Sequence, residues 1–393
     1  MKLKKWFVIG FVVIAMVITS IAVSSAAEKR SYKIGSIFSY TGVAAFLGDR
    51  MKTTAEMMVE SVNKQGGIEG HPVELTVYDS GSEVTKAVTA ANRLITQDKV
   101  DIISGAGNMS GLSLAIKPVA NRYQVPMISN SGSRAIVEPV KESRWVFKSH
   151  LTDKEIIGRA FDWWKSKGIT KVAMLSSTSG FGKSARDELR RQEPGSGIKV
   201  VAWEEFDNKA TDMTPQLTRI RAANPEVILY WTVAPAGVVI MKNARQLGMK
   251  QILMTGFGYV VPRYMKMAGE AAEGCVLVSL RYPVGPQLSD SDPCKKIILA
   301  YMEEHKAKYG FHPDVYGSEA YDGMLMAFEA LKISKSLDKE KLRSALEKLN
   351  FIGTNGVYNK FSSSRHYGLT KDDAVVFEWR NGGWKLLMAA ETR

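Results

Sequence analysis

The residues most suggestive of chemistry lie in the stretch from Lys171 to Arg190, KVAMLSSTSGFGKSARDELR, where Gly-Lys-Ser follows an apolar run. A nucleotide-binding phosphate loop needs another glycine five positions before the glycine of Gly-Lys-Ser, so that the backbone can wrap the phosphates. Ser177 stands at that position, and serine lacks the conformational freedom of glycine. We therefore predict an ordinary strand-to-helix turn, with Ser184 near the start of the helix.

Motifs for catalysis or metal binding do not appear in the rest of the sequence. The histidines are scattered, and neither HExxH nor CxxC spacing for zinc occurs. SGAGNMSG carries Ser110 where a dinucleotide-binding GxGxxG motif needs its third glycine, and SGLS only approaches the Gly-x-Ser-x-Gly elbow of hydrolases. These observations favour a binding protein over an enzyme, with no cofactor and no metal.

The first 27 residues have the order of features found in a secretory signal peptide. Lysines come first, an apolar run from Trp6 to Val23 follows, and Ser25-Ala26-Ala27 offers small residues for cleavage. We expect this segment to be removed and the remaining chain to act in the periplasm. The apolar run is also long enough to serve as an uncleaved membrane anchor, which is the alternative.

Charge and cysteine content narrow the possible partners. The formal net charge of +13 is spread along the chain as mixtures of lysine and glutamate, without long basic blocks or interleaved aromatic residues. This pattern indicates a solvated surface and argues against nucleic-acid binding. Cys275 and Cys294 are the only cysteines, and the sequence leaves open whether they form a disulfide.

Strand-like and helix-like segments alternate along most of the chain. YKIGSIFS, VDIISG and EVILYWT are predicted strands, and amphipathic segments such as GDRMKTTAEMMVESVNKQGG are predicted helices between them. Short apolar strands joined through helices indicate parallel sheets covered on both faces, and two successive sets indicate two doubly wound lobes. Near the end, AVVFEWRNGGWKLL predicts a β-hairpin that turns at Asn381-Gly382-Gly383.

Six loops that follow predicted strands are rich in Ser, Thr, Gly and Asn and poor in charge. They are SYTGVAAFLGD, SGAGNMSGLS, ISNSGSRA, SSTSGFGKS, YWTVAPAG and MTGFGYVV. In open parallel sheets, ligands bind beyond the carboxyl ends of the strands. Hydroxyl groups and backbone N–H groups at helix starts suit a carboxylate or another small polar anion, so we predict a ligand cleft here.

One long segment, VNKQGGIEGHPVELTVYDSGSEVTKAVTAANRLITQDKVDIISG, resembles the signature of type I periplasmic binding proteins. PVANRYQVPMIS, GEAAEGCVLV and AYDGMLMAFEAL are similar to the branched-chain amino acid binding branch of that family, in the same order. The resemblance implies an α/β fold with two doubly wound parallel-sheet lobes joined by a three-crossover hinge. Lobe one would comprise residues 28–149 and 281–360, and lobe two residues 150–280 and 361–393.

The resemblance also implies a function. A ligand held between the lobes would shift the protein to a closed form, because only that form contacts the ligand from both sides. The expected protein is a monomeric, non-enzymatic, extracytoplasmic solute-binding protein that delivers a small carboxylate to the permease and ATPase subunits of an ABC importer. Two alternatives stay open: a ligand sensor of the same fold with a separate receptor, and a secreted hydrolase with His150 near Ser110.

Ligand-binding residues follow from the family pattern. Ser110 and Ser133 fall where the family binds the ligand carboxylate through hydroxyl groups, and the backbone of Ser131 lies beside them. Phe181 falls at the family's aromatic position on lobe two. Gly258 falls where amino acid binders carry an acidic residue that pairs with the ligand ammonium.

The glycine at this last position bears on the ligand's identity. A buried ammonium without a counter-charge is costly, so Gly258 argues against an ordinary α-amino acid. Trp231 and Tyr259 instead suggest an aromatic or aliphatic body on the carboxylate, although each could belong to the core. Glu319 or Asp153 could replace the missing acidic residue, which would restore amino acid binding.

Overall fold

The computed structural model describes residues 29–232 and 235–391. The predicted signal peptide, residues 1–27, lies outside the described residues. In the described part of the chain, no helix is long and apolar enough to span a membrane.

The strands are numbered in chain order. They are β1 Tyr32–Phe38, β2 Val73–Asp79, β3 Ile102–Ala106, β4 Met127–Ser129, β5 Val146–Lys148, β6 Lys171–Ser177, β7 Lys199–Phe206, β8 Val227–Trp231, β9 Ile252–Thr255, β10 Val276–Ser279, β11 Phe351–Ile352, β12 Val357–Tyr358, β13 Val375–Arg380 and β14 Gly383–Met388. Within the described residues they form a five-stranded sheet, a seven-stranded sheet and a two-stranded ribbon.

The α-helices are numbered in the same way. They are α1 Ala45–Lys64, α2 Val84–Thr96, α3 Ser110–Tyr123, α4 Asp153–Ser166, α5 Gly180–Gln192, α6 Thr214–Ala222, α7 Ala236–Gln246, α8 Pro262–Ala268, α9 Lys295–Tyr309, α10 Val315–Ser334 and α11 Lys339–Leu346. Short 3₁₀ helices span Arg134–Ile136, Val140–Glu142, Phe257–Tyr259, Gly269–Ala272, Tyr282–Gln287 and Lys371–Asp373.

Parallel pairing dominates both large sheets. The five-stranded sheet has the order β2-β1-β3-β4-β5, and all its neighbours are parallel. The seven-stranded sheet has the order β14-β13-β10-β9-β8-β6-β7, with β13 and β14 as an antiparallel edge. Strands β3 and β8 are buried along their whole length, which helices on both faces of a parallel sheet require. The predicted doubly wound parallel sheets are confirmed.

The chain passes between the two sheets three times, after β5, after β10 and after β12. Between the second and third passage, α10 packs on α1 and against β3 and β4, so this part of the chain returns to the five-stranded sheet. We call the five-stranded sheet with its helices lobe one, and the seven-stranded sheet with its helices lobe two. The residue limits expected for the lobes stay a prediction.

Helix α5 begins earlier than the sequence indicated. Ser179 caps it, because its hydroxyl accepts a hydrogen bond from the backbone N–H of Gly182 at 3.3 Å. Ser184 therefore lies in the second turn and not near the helix start. Gly-Lys-Ser is part of this helix and does not form a phosphate-binding loop. Lys183 is exposed and forms an ion pair with Asp187 at 2.6 Å.

The structure also shows where the hairpin turns and how the two cysteines are placed. The hairpin turns at Asn381 and Gly382, which both have positive φ, as a two-residue turn requires, and Gly383 already begins β14. Cys275 and Cys294 are both free and buried. Burial raises the pKa of each thiol to about 12, so neither is a reactive thiolate at neutral pH.

Candidate functional site

A cavity of about 190 Å³ lies at the carboxyl ends of strands from both sheets. Its polar wall consists of Asn108, Ser110, Asn130, Ser131, His150, Ser179, Asn208, Tyr316 and Glu319. Its apolar wall consists of Leu47, Met109, Phe181 and Phe257. The volume is below the roughly 300–1,000 Å³ of sites for drug-sized molecules, so the cavity suits a smaller ligand.

Loops that follow the parallel strands supply most of this wall. Ser110 is the first residue of α3, directly after the β3 loop, and Ser131 follows β4. Phe181 lies in the first turn of α5 after β6, and Gly258 lies in the 3₁₀ helix after β9. The predicted position of the cleft, beyond the strand ends, is thus where this cavity lies.

The two lobes touch each other on both sides of the cavity. On one side, the hydroxyls of Ser133 and Ser184 are 3.0 Å apart, and Arg134 Nη1 donates to Glu188 Oε1 at 2.9 Å. On the other side, the ring of Phe46 in α1 meets the ring of Tyr264 in α8, with centroids 5.1 Å apart. A ligand in the cavity would therefore be enclosed by residues of both lobes.

Four predicted site residues line the cavity: Ser110, Ser131, Phe181 and Gly258. The Ser110 hydroxyl accepts a hydrogen bond from the backbone N–H of Ser133 at 3.2 Å and keeps its own proton for donation. The Ser131 hydroxyl donates to the carbonyl of Gly107 at 3.0 Å, so it is already used within lobe one. The expectation that Ser131 contributes backbone atoms fits this arrangement.

The remaining three predicted residues, Ser133, Trp231 and Tyr259, are not among those that line the cavity, and their contact with a ligand stays a prediction. Ser133 bonds Ser184 at the junction of the lobes. Trp231 is buried behind Phe181, with ring centroids 5.5 Å apart. The Tyr259 hydroxyl accepts the backbone N–H of Gly237 at 2.6 Å, which fixes this fully buried side chain in the core of lobe two.

Two buried donors in the wall were missed by the sequence reasoning. Asn108 Oδ1 accepts the backbone N–H of Ser39 at 3.1 Å, but Asn108 Nδ2 has no partner among the described residues. The Tyr316 hydroxyl is likewise buried without a partner in the described part of the chain. Asn130 Oδ1, also in the wall, is a buried acceptor without a partner among the described residues. Since buried polar groups are nearly always hydrogen-bonded, the two donors favour a ligand that offers acceptor atoms, and Asn130 Oδ1 adds a place for one donor.

Among the described residues that line the cavity, Glu319 is the only carboxylic acid and His150 the only basic side chain. Glu319 lies in the second turn of α10, and His150 lies in the segment between β5 and α4. His150 Nε2 is 3.1 Å from Glu319 Oε1, and both side chains are buried. Burial raises the pKa of the Glu319 carboxyl, and the contact with His150 opposes that rise.

Of the two acidic residues considered as replacements at the sequence level, only Glu319 reaches the cavity. The Asp153 carboxylate accepts the backbone N–H groups of Arg134 and Lys154, each at 3.1 Å, at the start of α4. It is buried there, away from the cavity wall.

The cavity wall does not pair a nucleophile with a base that could activate it. His150 Nδ1 contacts the carbonyl of Leu151 at 2.6 Å and its Nε2 contacts Glu319, so both ring nitrogens are engaged and neither can activate Ser110. In the described residues, no group of three or more His, Cys, Asp or Glu side chains could hold a metal ion.

A wider groove of about 880 Å³ lies on the surface between charged side chains. Arg134 there already pairs with Glu138 at 2.6 Å, and Arg144 pairs with Glu340 at 2.7 Å. Several charges of this groove are thus neutralised by ion pairs, whereas the smaller cavity lies between the lobes, has a largely apolar wall and carries donors without partners among the described residues. The smaller cavity is the better candidate for a specific ligand.

Comparisons with known proteins agree with this geometry. The model of the family described as periplasmic binding protein matches residues 31–383. The leucine-, isoleucine-, valine-, threonine-, and alanine-binding protein of Pseudomonas aeruginosa is 24% identical over 380 residues, covering 93% of this chain and 94% of that protein.

Solved structures share the fold. A leucine binding protein, LivK, from Thermotoga maritima is 25% identical with a TM-score of 0.78, over 91% of this chain and 99% of that one. An extracellular ligand-binding receptor from Rhodopseudomonas palustris HaA2 is 24% identical with a TM-score of 0.83, over 91% of this chain and 100% of that one. The predicted fold is confirmed. The chain belongs to the type I periplasmic binding proteins, and it is a solute-binding protein of the kind that serves ABC transporters, not an enzyme.

Proposed function

We propose that this protein captures a small carboxylate between its two lobes outside the cytoplasm and delivers it to an ABC importer. An aromatic or aliphatic acid is favoured as the ligand over an α-amino acid. The protein would act as a monomer with the permease and ATPase subunits of that importer, after removal of residues 1–27.

The observation that carries this proposal is the set of hydrogen-bond donors around the cavity. The Ser110 hydroxyl, Asn108 Nδ2 and the Tyr316 hydroxyl all belong to wall residues, and the last two are buried without a described partner. Ser110 also begins α3, whose first turn presents backbone N–H groups toward an anion. A carboxylate can accept several such hydrogen bonds at once and needs no lysine or arginine beside it.

The apolar wall supports a hydrocarbon body on the ligand. Phe181 and Phe257 face Gly132 from lobe two, and a Cβ atom at Gly132 would come within 3.3 Å of both rings. The absence of a side chain at Gly132 therefore lets both rings pack close to this part of lobe one. Leu47 and Met109 add apolar contacts from lobe one.

An amine on the ligand is less well supported than its carboxylate and its hydrocarbon body. Gly258 brings no acidic group to the cavity, and the single acid among the described wall residues, Glu319, already contacts His150. An α-amino acid is nevertheless the second candidate, since named relatives are amino acid binding proteins and Glu319 does reach the cavity.

Closure of the lobes would couple binding to transport. We propose that the hinge consists of the three crossovers near His150, Leu280 and Phe361, with the lobe limits given above. The ligand favours the closed form because it contacts both lobes only there. The importer would then recognise the closed, loaded protein.

Replacing Ser110 with alanine tests the carboxylate site. We expect Ser110→Ala to weaken binding of a carboxylate ligand by about 1–3 kcal/mol, because a charged acceptor loses one of its donors. Isothermal titration calorimetry with amine-free acids and with α-amino acids measures this change. Ser61→Ala, in α1 and outside the cavity wall, is the matched control and should bind as the unmodified protein does. Equal affinity in Ser110→Ala and Ser61→Ala would contradict the site.

A further inference from the structure

The position of one proton on His150 follows from its neighbours. His150 Nδ1 is 2.6 Å from the carbonyl oxygen of Leu151. A carbonyl oxygen can only accept a hydrogen bond, so Nδ1 carries a hydrogen. In a neutral imidazole, Nε2 would then be a bare acceptor.

That acceptor faces another acceptor. His150 Nε2 lies 3.1 Å from Glu319 Oε1, and an unprotonated imidazole nitrogen beside a carboxylate oxygen gives two lone pairs and no hydrogen. The contact therefore requires one additional proton. It resides either on the imidazole, giving an imidazolium and a carboxylate, or on the carboxyl, giving an imidazole and a carboxylic acid. The pair has no net charge in both cases.

Buried and charged groups surround the pair. Burial raises the pKa of Glu319, which favours proton retention, while the contact with His150 opposes that rise. Asp314, which caps α10 by accepting the backbone N–H groups of Tyr316 and Gly317, is close enough to interact with Glu319. The other charged groups in that range are Asp322 and Lys148. Asp322 accepts hydrogen bonds from residues 354 and 355, and Lys148 Nζ donates to the carbonyl of Gly132 at 2.6 Å. Both are thus engaged elsewhere.

The pair also contacts lobe two. The ring of Phe257 packs edge-on against the His150 ring, with centroids 4.1 Å apart, and both residues line the cavity. Glu319 and His150 therefore sit where the hinge segment, α10 and lobe two converge. A ligand group placed there contacts a pair that is buried from solvent, where a net charge is unfavourable.

We propose that His150 and Glu319 form a specificity pair that holds one proton and thereby disfavours α-amino acids. This inference rests on the proposed function and names the residues that set its ligand class. A ligand with an uncharged group at this position binds without disturbing the pair. A ligand ammonium gains a net counter-charge only if the pair gives up its proton to solvent, which costs affinity.

The matched ligand pairs for the test differ only in the amine: L-leucine with 4-methylpentanoate, and L-phenylalanine with 3-phenylpropanoate. We expect the unmodified protein to bind the amine-free member of a pair at least roughly 10-fold more tightly, equivalent to about 1.4 kcal/mol. Calorimetry in two buffers of different ionisation enthalpy should show that amino acid binding releases about one proton, whereas amine-free acids release none.

His150→Gln removes the extra proton of the pair but keeps a hydrogen bond to Glu319. A glutamine amide can donate to Glu319 without carrying the extra proton, so the carboxylate becomes available as a counter-charge. We expect the preference to move at least roughly 10-fold toward the amino acid, and its proton release to disappear. His312→Gln, at an exposed histidine, is the matched control with an unchanged preference. Melting curves show whether each variant is folded.

Glu319→Gln serves as the second variant. It removes the only acid among the described wall residues, so L-leucine should bind at least roughly 10-fold more weakly than it does to the unmodified protein. Glu329→Gln, also in α10, is its control.

An unchanged ligand preference in folded His150→Gln, or unchanged L-leucine affinity in Glu319→Gln, overturns the inference. Binding of amino acids by the unmodified protein without proton release also overturns it but leaves carboxylate capture intact. Failure of all four ligands to bind would contradict the proposed function itself.

Discussion

Gly132→Leu is expected to weaken ligand binding by roughly 100-fold or more, which corresponds to about 2.7 kcal/mol. A Cβ at this position would already be 3.3 Å from Phe181 and Phe257, and the rest of the leucine side chain would displace these two wall residues. The backbone is held in place, because the Gly132 carbonyl accepts hydrogen bonds from Lys148 Nζ and from the backbone N–H of Asp153. The site therefore cannot relax easily around the added atoms.

The change is measured by titration calorimetry with the ligand found for the unmodified protein. Gly383→Leu is the control, because a Cβ at Gly383 in β14 meets nothing within 4 Å and the residue is far from the cavity. Circular dichroism and a melting curve establish that Gly132→Leu is folded. If the folded variant binds the ligand with unchanged affinity, the cavity is not the binding site.

Asp322→Ala is expected to lower the free energy of unfolding by about 2–5 kcal/mol, because each buried donor left unsatisfied costs about 1–3 kcal/mol. The Asp322 carboxylate accepts hydrogen bonds from the backbone and side chain of both Thr354 and Asn355, at 2.7–3.0 Å. The Tyr358 hydroxyl lies 2.8 Å from Oδ2. Alanine would leave the backbone N–H groups of residues 354 and 355 unsatisfied, whereas the side-chain donors keep contacts with the carbonyls of Ser318 and Ser149.

Urea denaturation followed by circular dichroism measures this loss. Asp290→Ala is the matched control, since Asp290 is almost fully exposed and its ion pair with Lys295 should have no measurable effect. A loss below about 1 kcal/mol in Asp322→Ala would mean that the donors find other partners. The interaction joins α10 to the segment before the third crossover, so it bears on the framework that carries Glu319.

The fold was largely predictable because its signals are local. Apolar runs such as β3 and β8 are strands buried on both faces, and their alternation with amphipathic helices specifies parallel sheets. The hairpin at Asn381 was predictable for the same reason, since a two-residue turn with positive φ favours Asn-Gly. The start of α5 was not, because Ser179 and Ser184 are both plausible caps in sequence.

The site was predictable only in part, because its contacts are between distant parts of the chain. The family pattern identified Ser110, Phe181 and Gly258, which line the cavity. It did not reveal that the Tyr259 hydroxyl would bond Gly237 in the core. It also could not pair His150 with Glu319, since they are 169 residues apart and meet only when α10 packs on lobe one.

The melting temperature of residues 28–393 in the presence of ligands tests the central claim most directly. One set contains α-amino acids, and the other contains acids of matched side chain without the amine. A ligand at a hundred times its dissociation constant stabilises the folded protein by about 2.7 kcal/mol, which produces a clear upward shift. We predict a shift with at least one amine-free carboxylic acid, and no shift with the corresponding carboxamide. No shift with any carboxylate of either set would contradict capture of a small carboxylate in this cavity.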